Sequence, residues 1–260
     1  MAADAILVQR DGAIATVLLN RPQRMNALDK AMWMQLGAAV RALDADDSVR
    51  CIVVRGAGGK AFAAGADIAE FVRERANSAQ ARHYGKDGIG AMRTLADCRH
   101  PTLALIEGAC VGGGLLIASQ CDLRICNASA RFGVPVKNLG LTEAYDELQG
   151  MLRVASRAAA LEILLEGRIW DAREAYEKGL VSRVIADDKV VEEAYATARR
   201  IAEGAPLAAR WHKKFIRRLD DPRPLTEAEM DESYACFDTE DFREGVAAFL
   251  EKRKPRFHGK

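Results

Sequence analysis

Two glycine-containing turns are the segments of this sequence in which the backbone itself could do chemistry. One lies in KAFAAGADIAEF (60–71) and the other in GACVGGG (108–114). Each follows an apolar, strand-like run and opens toward a helix, so its N–H groups could stabilise an enolate or a tetrahedral oxyanion. The small residues would let a ligand approach the backbone closely. Either turn alone would equally suit tight packing of a strand against a helix.

Side chains that could transfer a proton are scarce beside these turns. Leu115 and Leu116 follow the triple glycine, and neither can give or take a proton. Cys110 lies just before it, but no histidine partner that would activate a nucleophile is visible in the sequence. His83 is a further candidate base, because imidazole titrates near neutral pH, although a surface position would explain it equally well.

Strand and helix signals predict how these segments are positioned. Asp11-Gly12 between two apolar runs indicates a hairpin. Apolar spacing predicts a helix over 29–43, and a second helix over 78–97 that is interrupted around 85–90. Beyond residue 155 nearly all signals are helical, including a Ser156 cap. We therefore predict a β/α core over residues 1–190 and a helical C-terminal region over 191–260.

The composition excludes several classes of protein. The net charge is +1, from 38 basic and 37 acidic residues, so no field of one sign favours nucleic acid. The first residues lack the pattern of a signal peptide, and the most apolar window contains Glu107 and three glycines, which argues against a membrane span. The six cysteines are expected to be free thiols in a cytoplasmic protein, and neither they nor the four histidines show zinc-type spacing.

Six motifs in register resemble the enoyl-CoA hydratase/isomerase, or crotonase, superfamily over essentially the whole chain. They are NRPQRMNALD (20–29), FAAGADI (62–68), GACVGGG (108–114), ARFGVP (130–135), LLEGRIWDAREAYEKGLVSRV (164–184) and EGVAAFLEKRKPRF (244–257). The resemblance implies an α/β fold, a crotonase-like spiral of ββα units with a C-terminal helical trimerisation region. It also implies a homotrimer or a hexamer, and no metal or redox cofactor. Coenzyme A would enter only as part of an acyl-CoA substrate.

The resemblance also assigns roles to individual residues. It implies that the N–H groups of Ala64 and Gly113 bind the thioester oxygen, which stabilises an enolate. It places Ala66, Phe249 and Lys252 at the CoA moiety, and Asp67, Ile68, Leu116 and Val136 at the substrate pocket. Asp67 would also suit a helix cap, and Phe249 and Lys252 would suit a helix core and a solvated charge.

Two positions depart from the pattern of the hydratases. Those enzymes carry one glutamate two residues after the glycine triplet and a second just after the FGxP proline, and here the positions hold Leu116 and Val136. Addition of water to an enoyl thioester needs groups that hold the water and move its proton. The resemblance therefore implies a family member that lacks both hydratase glutamates.

Glu143 is the candidate that could replace them. The segment GLTEAYDELQG (140–150) carries Glu143, Tyr145, Asp146 and Glu147 where hydratases have small residues. A carboxylate beside Leu116 and Val136 would be poorly solvated, which raises its pKa toward a value useful for proton transfer.

One base that moves a proton between two carbons suffices for double-bond isomerisation, so isomerisation is the predicted reaction. Alternatively, Thr142 caps a helix and the acidic side chains face solvent. An acyl-CoA hydrolase, a decarboxylase, an atypical hydratase and a non-catalytic acyl-CoA-binding protein remain open as other functions.

Overall fold

The computed structural model describes residues 4–260, and its ten strands form two sheets. Six strands lie in one sheet in the order β1-β2-β3-β5-β7-β10, and four lie in a smaller sheet in the order β4-β6-β8-β9. The strands are β1 Ile6–Asp11, β2 Ile14–Leu19, β3 Cys51–Gly56, β4 Ala61–Ala63, β5 Thr102–Ile106, β6 Ala109–Val111, β7 Leu123–Asn127, β8 Arg131–Gly133, β9 Trp170–Asp171 and β10 Arg183–Ile185.

Eleven α-helices cover the sheets and form the C-terminal part of the described chain. They are α1 Lys30–Asp44, α2 Phe71–Glu74, α3 Ser78–Asp97, α4 Gly113–Gln120, α5 Tyr145–Val154, α6 Arg157–Glu166, α7 Ala172–Glu177, α8 Val190–Ala202, α9 Pro206–Arg218, α10 Glu227–Glu232 and α11 Glu240–Leu250. None of the described helices is both long enough and apolar enough to cross a membrane.

The large sheet is held by strands that are apolar on both faces. Strands β2, β3, β5 and β7 pair in parallel and are buried almost throughout, as continuous apolar runs in α/β proteins are. The predicted hairpin is confirmed, since β1 and β2 pair antiparallel around Asp11-Gly12. On the far face Val190, Ala194 and Ala198 of α8 pack against the sheet. The division at residue 190 into two regions stays a prediction.

The small sheet positions the glycine-containing turns. Strands β4, β6 and β8 pair in parallel, so their carboxyl ends lie at one edge. The segment 64–66 leaves the end of β4, the triple glycine leaves the end of β6, and residues 134–136 leave the end of β8. The sheet therefore brings together three segments that are far apart in the sequence, at the strand ends where α/β proteins bind ligands.

The helix boundaries confirm some predictions and correct others. Asp29 caps α1 through the Met32 N–H, and Ser156 caps α6 through the Ala159 N–H. The predicted interruption of α3 is wrong, because the helix runs unbroken from Ser78 to Asp97. Gly88 lies against the Trp33 indole ring, where a Cβ would be 3.6 Å from the ring, so the packing of α1 on α3 outweighs the weak helix propensity of glycine.

Candidate active site

A cavity of about 230 Å³ opens at the carboxyl edge of the small sheet. Both glycine-containing turns border it, and so does Glu143. The walls between them come from residues 84–88 of α3 and from the segments 135–142 and 64–75. The structure thus brings backbone N–H groups and titratable side chains to one cavity of the size that would hold a small acyl group.

Gly113 offers an N–H group to this cavity. It is the first residue of α4, so its N–H has no acceptor inside the helix, and no other described residue accepts it. Gly112 turns the chain with φ 49°, and its own N–H donates to the Gly133 carbonyl at 2.8 Å. Gly114 must be small, because a Cβ would lie 2.4 Å from the Ala63 carbonyl oxygen.

The first turn offers a different N–H group from the expected one. The Ala64 N–H donates to the Met25 carbonyl at 3.0 Å, so it is already engaged and cannot also bind a thioester oxygen. Its assignment as an oxyanion donor is therefore wrong for this conformation. The Ala66 N–H has no acceptor among residues 4–260, and Ala66 borders the cavity. Ala66 and Gly113 thus each border the cavity and leave an N–H without an acceptor.

The NRPQRMNALD segment (20–29) supports the first glycine-containing turn through hydrogen bonds. Asn26 is fully buried, and its side-chain amide donates to the carbonyls of Ala57 and Ala61 at 3.0 and 2.8 Å. Its side-chain oxygen accepts the Arg21 N–H at 3.0 Å. Asn26 and Met25 both have positive φ, and this bend directs the Met25 carbonyl toward Ala64. The motif thus supports the site without lining it.

The two predicted pocket residues of this turn differ in their positions. Ile68 borders the cavity. Asp67 does not: its carboxylate pairs with Arg21 at 3.0 Å and caps the short 3-10 helix Ile68–Glu70 through the Ala69 N–H. Arg21 also pairs with Asp29 at 3.0 Å. The assignment of Asp67 to the substrate pocket is wrong, and its alternative as a helix cap is confirmed.

Leu116 and Val136 both line the cavity, so its middle is aliphatic. Leu116 lies on α4 one turn after Gly113 and is only 3% exposed. Val136 follows β8 in the 3-10 helix Pro135–Leu139. Neither position provides a group that could hold or deprotonate a water molecule.

Two carboxyl groups border the cavity next to this aliphatic stretch, those of Glu143 and Glu147. The predicted Thr142 cap is wrong, because α5 begins at Tyr145 with Ala144 as its N-cap. The Glu147 carboxylate accepts the Ala144 N–H at 2.5 Å, which anchors it at the positive end of the helix. Burial, and secondly the neighbouring Glu147 carboxylate, raise the pKa of Glu143 to about 8.

Arg75 is the cationic group of this cavity, and it gave no signal in the sequence. Its guanidinium lies over the Phe71 ring at 4.4 Å from the centroid and over the Tyr84 ring at 5.3 Å. Its positive charge opposes the rise of the Glu143 pKa, but burial outweighs it. The Tyr84 hydroxyl donates to Glu70 at 3.1 Å.

The remaining candidates lie elsewhere. Phe249 is 84% exposed at the end of α11, and neither it nor Lys252 borders the cavity in a single chain. Asp146 points away to Arg93, and His83 is exposed. Burial raises the pKa of Cys110 well above its ordinary value, so the thiol stays protonated. Among residues 4–260, no three His, Cys, Asp or Glu side chains are placed to hold a metal ion.

Comparison with known proteins connects this geometry to one family. The family model described as enoyl-CoA hydratase/isomerase matches residues 9–260. A probable enoyl-CoA hydratase from Mycobacterium bovis is 38% identical over 260 residues, which is 99% of each chain. A crotonyl-CoA hydratase from Syntrophomonas wolfei is 34% identical over 263 residues, which is all of both chains.

Solved structures agree with the sequence comparison. The crystal structure of an enoyl-CoA hydratase/carnithine racemase from Magnetospirillum magneticum is 54% identical and superposes with a TM-score of 0.98, covering 100% of this chain and 97% of that one. The fold and the site define an enzyme class that acts on acyl-CoA thioesters. The chain belongs to the enoyl-CoA hydratase/isomerase family, and the predicted crotonase-type α/β fold is confirmed.

Proposed function

We propose that the protein moves a double bond within the acyl group of an enoyl-CoA by proton transfer, with Glu143 as the acid–base group. The observation that carries this proposal is the shared cavity: Glu143 borders it together with the free N–H groups of Gly113 and Ala66. Leu116 and Val136 occupy the positions at which the family pattern places the hydratase glutamates. The cavity then holds one oxyanion site, one proton-transfer group and an aliphatic wall between them.

The reaction would begin with ionised Glu143 and a 3-enoyl thioester. Glu143 removes a proton from C2, and the C–H electrons pass into the thioester carbonyl to form a dienolate. The Gly113 and Ala66 N–H groups stabilise the developing oxyanion, and such a donor contributes on the order of 3 kcal/mol. Glu143 then returns the proton to C4, the dienolate electrons form the C2–C3 double bond, and the base is restored.

The protonation state of Glu143 sets the pH range in which this proton transfer can occur. Because its pKa is raised to about 8, the neutral form predominates at pH 7 and the basic form above pH 8. The neutral form donates protons, which suits the second half-reaction. The same group can therefore act as base and as acid near neutral pH, which is the condition for efficient proton transfer.

Hydration is the second candidate, and a specific observation favours it. The curated relatives from Mycobacterium bovis and Syntrophomonas wolfei are named as hydratases. Glu143 and Glu147 provide two carboxyl groups in one cavity, and two such groups could hold a water molecule and move its proton. In this case hydration would use a different pair of carboxyl groups from the one that the family pattern places after the glycine triplet and the FGxP proline.

The acyl-CoA enzyme is further proposed to act as a homotrimer or a hexamer in the cytoplasm. Four large apolar side chains at the C-terminal helices are each at least 69% exposed, which is unusual: Ile216 on α9, Leu219 just after α9, and Phe249 and Leu250 on α11. Contact of a neighbouring copy with these helices would cover them. Phe249 and Lys252 are proposed to reach the CoA of such a neighbour, since they do not border the cavity of their own chain.

Assays of 3-enoyl-CoA and 2-enoyl-CoA with the purified protein test these two candidates against each other. Isomerisation predicts conversion of the 3-enoyl thioester without change of mass. Hydration predicts a gain of one water by the 2-enoyl thioester. Binding of both thioesters without conversion of either would contradict both candidates and leave a non-catalytic acyl-CoA-binding protein.

A further inference from the structure

Arg75 lines the cavity without a carboxylate partner. It forms no ion pair and no side-chain hydrogen bond with any described residue, and only its backbone N–H donates, to Phe71 at 2.9 Å. The neighbouring acidic residue Glu74 pairs with Lys30 instead, at 3.6 Å. In the part of the chain that the structure describes, the charge of Arg75 thus has no acidic partner and is available to a bound anion.

The rings beneath Arg75 leave its hydrogen-bonding edge free. The guanidinium carbon lies over the Phe71 and Tyr84 rings at cation–π distances, and these contacts with ring faces use none of its N–H donors. The five N–H donors lie in the guanidinium plane and point outward in a fork that matches a carboxylate. A half-buried guanidinium without an acceptor is costly, so a bound anion would be favoured at this place.

The position of Arg75 indicates which part of a thioester would meet it. Arg75 and Glu143 line the same cavity, and the positive charge of Arg75 lowers the pKa of the Glu143 carboxyl group. Glu143 must contact the carbons between which a proton moves, so Arg75 lies near the acyl group and not near the CoA nucleotide. Arg75 belongs to the segment 68–75, which precedes α3. This segment forms a different wall of the cavity from α4, the helix that supplies the oxyanion donor.

We propose that Arg75 binds a second carboxylate on the acyl group, so that the preferred substrates are CoA thioesters of dicarboxylic acids. This inference rests on the proposed function only in placing the acyl group beside Glu143. A bidentate pair of Arg75 with the acyl carboxylate would fix the chain at both ends, with its thioester oxygen on Gly113 and Ala66. It would also neutralise Arg75, and Glu143 would then become a stronger base.

Binding of saturated thioesters tests the inference without any turnover. The dissociation constants of succinyl-, glutaryl- and adipoyl-CoA are compared by calorimetry with those of butanoyl-, pentanoyl- and hexanoyl-CoA, matched in carbon number. We expect the wild-type protein to bind one of the dicarboxylic thioesters at least 10-fold more tightly than its matched partner. R75M should abolish that preference and change the affinity for the monocarboxylic thioester less than 3-fold.

R73M is the matched control, because Arg73 lies in α2 two residues before Arg75, is exposed and does not border the cavity. It should retain the wild-type preference. No preference at any chain length would overturn the inference, and so would an equal loss of affinity for both thioesters in R75M, which would place Arg75 at the CoA moiety. Because saturated thioesters are not isomerised, failure of the isomerase proposal would leave this result unaffected.

Discussion

The two sides of the cavity are built in different ways. On one side the chemistry belongs to the backbone: the N–H groups of Gly113 and Ala66 leave the ends of parallel strands and are held by tight packing. On the other side it belongs to side chains, with Glu143, Glu147 and Arg75 on segments that follow the sheet. The first side has no titratable side chain, and the second has four, because Tyr84 also borders the cavity there.

This difference indicates which parts of the site the members of a family can share and which parts can differ between members. Tight packing limits which residues can stand beside a backbone donor, as the 2.4 Å distance from a Cβ at Gly114 to the Ala63 carbonyl oxygen shows. Side chains on the other side can be replaced one at a time while the fold is kept. We therefore expect the enolate site to be common to the family, and the reaction and the substrate to be set by the side-chain wall.

Removal of Glu143, the proposed proton-transfer group, should have the largest effect. E143Q keeps the shape and the polarity of the side chain but cannot accept a proton, so kcat for 3-enoyl-CoA isomerisation should fall by about 100- to 10,000-fold. Steady-state kinetics measure this, and binding of hexanoyl-CoA should remain within 3-fold of wild type. D146N is the control, since Asp146 pairs with Arg93 outside the cavity. Equal activity of E143Q and wild type would remove Glu143 from the mechanism.

Loss of one backbone donor should be the next largest effect. G113P removes the N–H at the first position of α4, where proline is tolerated. We expect kcat to fall by about 100- to 1,000-fold. G113A is the matched variant, because it introduces the same contacts with Leu28 and Trp33 at 3.1 and 3.2 Å but keeps the N–H. If G113A lost as much activity as G113P, the loss would come from crowding and not from the missing donor.

Disruption of the support beneath the first turn should lower stability. N26A removes three hydrogen bonds at a fully buried position and leaves the carbonyls of Ala57 and Ala61 without that donor. Alanine is also disfavoured at the φ of 55° found there. The free energy of unfolding should fall by about 2–3 kcal/mol, measured in urea. N138A, at an exposed position, should change it by less than about 0.5 kcal/mol.

The pH dependence should show the smallest of these effects. Because the pKa of Glu143 is raised to about 8, its basic form and hence kcat/KM should increase with pH up to about 8 and then level off. E147Q removes the negative charge that disfavours ionisation of Glu143. The midpoint should therefore move to lower pH by about one unit, which corresponds to about 1.4 kcal/mol, and activity at pH 7 should increase.

D146N serves as the control for this shift as well, since it removes a charge from the same helix turn without touching the cavity. Its profile should match that of the wild type. A midpoint that E147Q leaves in place would show that burial alone sets the pKa of Glu143.

The sequence predicted the parts of the site that depend on local patterns. The glycine triplet after an apolar run indicated the strand and the turn, because these features lie within a few residues of one another, whereas the family resemblance assigned the donor N–H to Gly113. The wrong assignments of Ala64 and Asp67 both depend on distant partners. Ala64 is engaged by Met25, and Asp67 by Arg21, through contacts that no local pattern specifies.

The side-chain wall was predictable only in part for the same reason. Glu143 was found because its segment departs from the family pattern, but its coupling to Glu147 depends on where α5 begins. Arg75 looked like one charged residue among many, and only its position over Phe71 and Tyr84 distinguishes it. The continuity of α3 through its glycines likewise depends on the Trp33 side chain of another helix.

The most direct test of the proposed isomerisation is mass spectrometry of a 3-enoyl-CoA incubated with the protein in heavy water. Isomerisation by Glu143 predicts conversion to the 2-enoyl isomer, with deuterium entering the acyl carbons and no addition of water. E143Q should lose both the conversion and the deuterium incorporation. Addition of heavy water to the acyl group, persisting in E143Q, would contradict this mechanism, because hydration would then proceed without the proton-transfer group on which the account depends.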